Sequence, residues 1–327
     1  MAPHDLDDQL IKYLTDAHSI EHQALEQMKR APDIAGDPSI SQQFSQHLTE
    51  TEEHERRVRD RLEELGASPS AVKDLAGKVT GIGFALFAKF NPDTPGKLVA
   101  HAYSYEHMEL AAYDLLGRVA DRSGDASTAT LARDIEAQER AMAERLEADF
   151  DRAVEAALRD LSPDDIGKQL DKYLTDAHAV EAQAIQLLDK GSSIAGSAEL
   201  SAAYSEHLNE THEHQSLIQG RLDARGQSPN KLKDAALSLG ALNWGGFFGA
   251  QPDTPAKLAG FSYAFEHLEV ASYELLRRVA QRAGDAETSR IAEQILAQER
   301  AAAELIYSLF DAALDAALEA QGVGAAR

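Results

Sequence analysis

The stretch YLTDAHSIEHQALEQM at residues 13–28 returns as YLTDAHAVEAQAIQLL at 173–188, a shift of 160 positions. Placed at 100° per residue, the first copy forms an apolar stripe of Leu10, Leu14, Ala17, Ala24 and Met28. Glu21 falls in the centre of that stripe, where a Leu would be expected. The second copy repeats the pattern, with Glu181 set among Leu170, Leu174, Ala177, Ala184 and Leu188. Both stretches therefore read as amphipathic helices whose core face carries a carboxylate.

The same shift holds down the chain. PDTP at 92–95 recurs at 252–255, and AQERA at 137–141 recurs at 297–301. A chain of 327 residues with this period reads as two similar domains, residues 1–160 and 161–327, each large enough for its own core. Each half shows four helical stretches: residues 5–30, 39–65, from the PDTP turn to 124, and from 126 past 146 toward the linker. Thr94 and Pro95 suit the N-cap and first turn of the third stretch, and Pro163 marks the boundary between domains. Connections one–two and three–four are short, whereas connection two–three spans about thirty residues. Two hairpins joined by one long crossover describe an all-α fold, the ferritin-like form of the four-helix bundle. The crossover holds Phe84, Phe87 and Phe90, matched by Trp244, Phe247 and Phe248, a set expected to pack along the bundle or at the domain interface.

Bulk chemistry narrows the function. The formal charge is −23 with both halves acidic, which disfavours nucleic acid and anionic membranes as partners. Cysteine is absent, which removes thiol nucleophiles, disulfides, iron–sulfur clusters and thiolate zinc sites. The opening MAPHDLDDQL lacks the regions of a signal peptide, and no apolar run is long enough to span a bilayer, so a cytoplasmic location is expected.

Helix-face geometry then sorts the polar residues. In the third stretch Glu109 lies among Leu98, Ala102, Tyr105, Ala112 and Leu116, and Glu269 repeats it. On the second, built on Phe44, Leu48, Thr51, Val58 and Leu62, His54 lies near the edge of the core face, with Glu50 one turn before it. On the fourth, Glu139 flanks a stripe in which Gln138 is central, and Glu106 precedes Glu109 by one turn on the third. Glu53 points away from the core, and Glu136 is replaced by Leu296 in the second copy. His47 and His207 sit one turn before Glu50 and Glu210, placed to orient a ligand from outside, while His107 and His267 point away from their own bundles.

A carboxylate on a core face is costly unless it is paired, protonated or bound to a cation. The expected ligand set is therefore Glu21, Glu50, His54, Glu106, Glu109 and Glu139 in the first half. In the second it is Glu181, Glu210, His214, Glu266, Glu269 and Glu299. Five carboxylates and one imidazole suit iron or manganese rather than copper or structural zinc, and can neutralise two divalent ions per domain. The leading expectation is a dinuclear metal protein acting on a small-molecule oxidant, peroxide or oxygen. The alternative is a non-catalytic structural or interaction protein whose sites are vestigial.

The segments IEHQALEQM (20–28), HLTETEEH (47–54), YEHMELAAY (105–113) and QER (138–140) resemble the ferritin-like superfamily, and within it the YciF/YciE-type stress-response domain. The resemblance covers each half nearly end to end. It implies a four-helix bundle with a carboxylate-bridged dinuclear site in a stress-response domain; oxidoreductase chemistry of peroxidase, catalase or oxidase type is the expectation that the two metals carry. It also implies that single-domain relatives pair through one bundle face, so that this chain is an intramolecular pseudo-dimer. Two positions depart from the superfamily pattern: Thr51 stands where a Glu is usual, and Met142 and Ala143 follow Glu139 where a His is usual.

Overall fold

A computed structural model describes residues 5–67, 95–228 and 253–323. Among these, all regular structure is α-helical. The first half holds α1 (Leu6–Met28), α2 (Ala31–Ile34), α3 (Pro38–Glu64), α4 (Pro95–Ser123), α5 (Ala126–Ala148) and α6 (Phe150–Leu158). The second holds α7 (Pro163–Ile194), α8 (Ala198–Ala224), α9 (Thr254–Arg282), α10 (Ala286–Ser308) and α11 (Phe310–Ala320). The four long helices of each half pack as a bundle: α1 against α3 and α4, and α5 against α4 and α3. The second half repeats this with α7, α8, α9 and α10. The long crossovers, with their Phe and Trp residues, lie outside the described residues.

Local chemistry accounts for the helix ends. The carboxylates of Asp5, Asp37 and Asp125 accept from backbone N–H groups of the first turns of α1, α3 and α5, and Ser162, Ser197 and Asp285 do the same for α7, α8 and α10. The first stretch was expected to run unbroken to Arg30, but α1 stops at Met28 and a short α2 follows. Pro32 has no N–H to donate to the Met28 carbonyl. Ser192 stands at the matching place in the second half, and α7 runs through to Ile194. The fourth stretch also breaks: α5 ends before Asp149, whose N–H reaches back only to Leu146, and α6 begins at Phe150. Thr94, the expected N-cap of α4, lies outside the described residues; in the second copy the residue before α9 is Asp253. Its buried carboxylate faces Lys12 of the other half at 2.5 Å instead of capping the helix.

The two halves meet along α4 and α9, with α6 and α11 laid across the seam. Contacts come in exchanged pairs. Lys97 reaches Asp176 while Lys257 reaches Asp16 at 3.0 Å, and Arg118 reaches Asp311 at 2.6 Å while Arg278 reaches Asp151 at 3.0 Å. Adding 160 to one partner and subtracting it from the other converts each contact into its mate, the signature of a two-fold, self-complementary interface. On the axis, the rings of His107 and His267 stack with centroids 3.5 Å apart. They do point away from their own bundles, and each is covered by the other half. Each Nδ1–H donates to a carbonyl one turn earlier, Tyr103 or Tyr263. Burial, with His267 adding to it, holds His107 well below the usual imidazole range, and burial takes His267 down to about 4, so both rings are neutral at pH 7.

Candidate metal centre

In the first half, α1 supplies Glu21, α3 supplies His47 and His54, α4 supplies Glu106 and Glu109, and α5 supplies Glu139. All six are buried. Their donor atoms converge in two groups: His47, Glu106, Glu109 and Glu139 form one, and Glu21, His54 and Glu139 form the other. Within each group one donor atom per residue lies within 4.8 Å of every other, and Glu139 belongs to both. The second half repeats the arrangement with His207, Glu266, Glu269 and Glu299, and with Glu181, His214 and Glu299.

The histidines show what this convergence requires. His47 donates its Nδ1–H to Glu50 Oε2 at 3.1 Å, which leaves Nε2 facing Glu106 Oε2 at 3.2 Å and Glu139 Oε2 at 3.5 Å. His54 donates its Nε2–H to Gln138 Oε1 at 2.8 Å, which leaves Nδ1 at 2.6 Å from Glu139 Oε1 and 3.8 Å from Glu21 Oε1. On both rings the outer nitrogen is hydrogen-bonded and the inner one points into carboxylates. An imidazole lone pair facing a carboxylate is repulsive unless a proton or a cation lies between them. Neither inner nitrogen has a hydrogen-bond partner. The same holds for both oxygens of Glu106, Glu109 and Glu139 and for Glu21 Oε2. So many buried orphan atoms, all acceptors or able to act as such, aimed at shared points, fit a cation with oxygen and nitrogen ligands.

Burial opposes a charge on either ring, but the carboxylates outweigh it, raising His47 well above the imidazole range and His54 to about 9, so without a cation a proton sits on each inner nitrogen. Burial pushes Glu21 up to about 8, with the Glu139 charge adding to it, and burial takes Glu106 to about 7 against the opposing pull of His47. Burial raises Glu109 well above the carboxylate range, with Glu139, Glu21 and Glu106 adding to it. Burial also opposes ionisation of Glu139, but His54 and His47 overcome it and hold this central carboxylate below its usual range. With no cation the cluster keeps protons it would shed around a metal.

The structure reassigns several residues. Glu50 and Glu210 are not in the convergent groups, although they were expected there as ligands. Their carboxylates lie toward solvent, 25 % and 40 % exposed, and accept from the outer nitrogen of His47 or His207. The imidazole placed one turn earlier, expected only to orient a ligand, is the one that points inward. The physical reason is reach: His47 and His54 are seven residues apart, two helical turns, and so share a face that Glu50 flanks. Gln138 was expected in the centre of its stripe but is exposed, and its amide reaches in to His54. Thr51 spends its hydroxyl on the His47 carbonyl, and Met142 is buried. Glu53 and Glu136 form surface pairs with Arg56 and Arg140. One contact escaped the sequence reading altogether. The buried Tyr113 donates its hydroxyl to Glu21 Oε1, and Tyr273 does the same to Glu181. The signal was available, since Tyr113 stands one turn after Glu109 and recurs at the same shift.

Helical bundles that gather glutamates and histidines from all four helices into a buried cluster form the ferritin-like class. The chain belongs to a ferritin-like family described as a domain of unknown function, DUF892, whose model matches residues 5–159 and again 166–319. No solved structure matches the chain. Among the described residues, no helix is long and apolar enough to cross a membrane.

Proposed function

We propose that each half binds two divalent ions, iron or manganese, and that the protein acts on peroxide or dioxygen in stress protection inside the cytoplasm, as a fused dimer of two similar bundles. The observation that carries the reading is the set of inward imidazole nitrogens facing carboxylates, without a hydrogen bond at His47, His54 and His214 and with one at His207, whose Nε2 meets Glu266 Oε2 at 3.0 Å. His47, Glu106, Glu109 and Glu139 would hold one ion, and Glu21, His54 and Glu139 the other, with Glu139 shared. Mixed carboxylate and imidazole donors favour iron or manganese over softer metals. Bound there, such ions supply redox chemistry toward oxygen species. The protein's own contribution is to fix the ligands: Glu50 and Gln138 set the two ring tautomers, and Tyr113 holds Glu21. The surrounding apolar side chains, Leu14, Phe44, Val58 and Leu146 among them, keep bulk water out.

Metal analysis of natively purified protein tests this. More than one iron or manganese per half, accompanied by peroxide consumption, is the expected result. Fewer than about half an ion per half after anaerobic loading would overturn it. A second reading, a structural protein with vestigial sites, rests on Thr51 and Met142, which offer no ligand where the superfamily pattern has one. It predicts that Glu21→Gln with Glu109→Gln stabilises the protein whether or not metal is added.

A further inference from the structure

The two sites have the same ligands but different surroundings on their solvent side. In each bundle the cluster is linked to solvent at the seam between the second and fourth long helices, α3 and α5 in one half and α8 and α10 in the other. There the outer nitrogens of the two buried histidines bond to solvent-facing partners, Glu50 and Gln138 in the first half and Glu210 and Gln298 in the second. Besides the His54–Gln138 bond and Arg61 to Thr128 at 2.9 Å, both of which recur in the second half, four side-chain links bridge the seam in the first half. Gln43 donates to Asp149 at 2.7 Å, Arg145 to Glu50 at 3.1 Å, Arg57 to Asp134 at 3.1 Å, and Arg61 to Asp125 at 2.5 Å.

Of these four the second half keeps the last, as Arg221 to Asp285 at 2.9 Å, and adds Arg225 to Asp285 at 3.0 Å at the same end of the seam. The other three are replaced by Ala203 with Leu309, Leu305 with Glu210, and Leu217 with Gln294. Glu50 is held on both oxygens, since Gln46 donates to Oε1 while His47 and Arg145 serve Oε2. Glu210 has His207 as its partner, and Leu305, 44 % exposed, offers it nothing. Charge follows the same division. The mouth of the first site pairs Glu50 with Arg145, whereas the second has Glu210 and, one turn before it, Glu206 in place of Gln46. Just inside, Ala302 replaces the buried Met142.

We infer that this seam is the route by which cations reach the buried carboxylates, clasped by Arg145 in the first half and open in the second. The two sites therefore exchange metal with solvent at different rates. This rests on the metal-binding reading above. A guanidinium at one mouth repels an incoming cation and pins the carboxylate beside the route. Two carboxylates with no guanidinium beside them, Glu210 paired only with its own-helix His207, attract it at the other mouth, and the net loss of cross-links lets the helices part more readily.

Stopped-flow mixing of the full-length apoprotein with cobalt(II), followed by ligand-field absorbance, tests the inference without recourse to activity. Cobalt should enter in two phases separated by about tenfold, the scale on which local charge alters association rates. Glu299→Gln should remove the fast phase. Arg145→Leu, a substitution at a partly exposed position, should quicken the slow phase toward the fast one, and Leu305→Arg should slow the fast phase. Added salt should slow the fast phase more than the slow one. A slow phase indifferent to Arg145→Leu, or a fast phase that survives Glu299→Gln, overturns the inference while leaving metal binding intact. No cobalt binding at equilibrium overturns the metal reading itself, and this inference with it.

Discussion

Glu139 and Glu50 are both acidic, both repeated 160 residues on, and close to the same imidazoles, yet their surroundings assign them different work. Glu139 is fully buried, central to both donor groups, and its two oxygens have no hydrogen-bond partner. Glu50 lies toward solvent and is saturated by Gln46, His47 and Arg145. The His47 hydrogen bond above all holds it down at about 2. Glu139→Gln should therefore abolish measurable metal binding in the first half. Glu50→Gln should lower affinity by about 10–100-fold, the usual effect of losing a group that orients a ligand. Titration of each variant with cobalt, on a background in which the second site is disabled by Glu299→Gln, separates the two. Equal losses would mean that Glu50 is itself a ligand. The carboxylates of this site were legible in the sequence because a charge in an apolar stripe is anomalous wherever the helix packs. The division of labour between His47 and Glu50 was not, because both flank the face and helix periodicity cannot tell which side chain turns inward.

At the scale of the element, the sequence showed the four long helices of each half, and the departures came from single residues acting on the backbone. Pro32 ends α1, and Gly36 turns the chain into α3 with φ at +69°. A Cβ at Gly36 would stand 2.5 Å from Pro95 Cγ, the first residue of α4, so this turn is pressed against the start of another helix. Gly66 has the same kind of backbone, φ +73°, but open space where its Cβ would be. Gly66→Ala should cost about 1–2 kcal/mol, the left-handed backbone penalty alone. Gly36→Ala should cost about 3 kcal/mol, since displacement of Pro95 adds to that penalty. Chemical denaturation of both variants checks the difference, and equal costs would show that Pro95 yields freely. No periodicity argument finds such a contact, because it joins residues nearly sixty positions apart.

At the scale of the whole molecule, the exchanged contacts across α4 and α9 join the halves around the stacked pair His107 and His267. His107 is buried and His267 half-buried, and both titrate below their ordinary value of 6.5, His267 at about 4. A lowered folded-state value means that the unfolded chain takes up protons first. The stability this pair contributes is complete above pH 6.5 and is lost as pH falls from 6.5 through about 4. For His267 alone the loss is on the order of 3 kcal/mol. Thermal melting between pH 7 and pH 4 should show that fall, and the His107→Gln, His267→Gln double variant should show a shallower one. Identical slopes would remove the stacked pair from the account. By itself the amino-acid sequence determined the duplication, the helices and the carboxylates on their apolar faces, since these follow from local periodicity and from the cost of burying charge. Only the tertiary structure decided which imidazole nitrogens face those carboxylates, that His107 meets its own repeat, and that Arg145 clasps one seam where Leu305 leaves the other open. Those facts depend on side chains from different helices meeting in space, and a periodic pattern read one helix at a time carries no record of its neighbours.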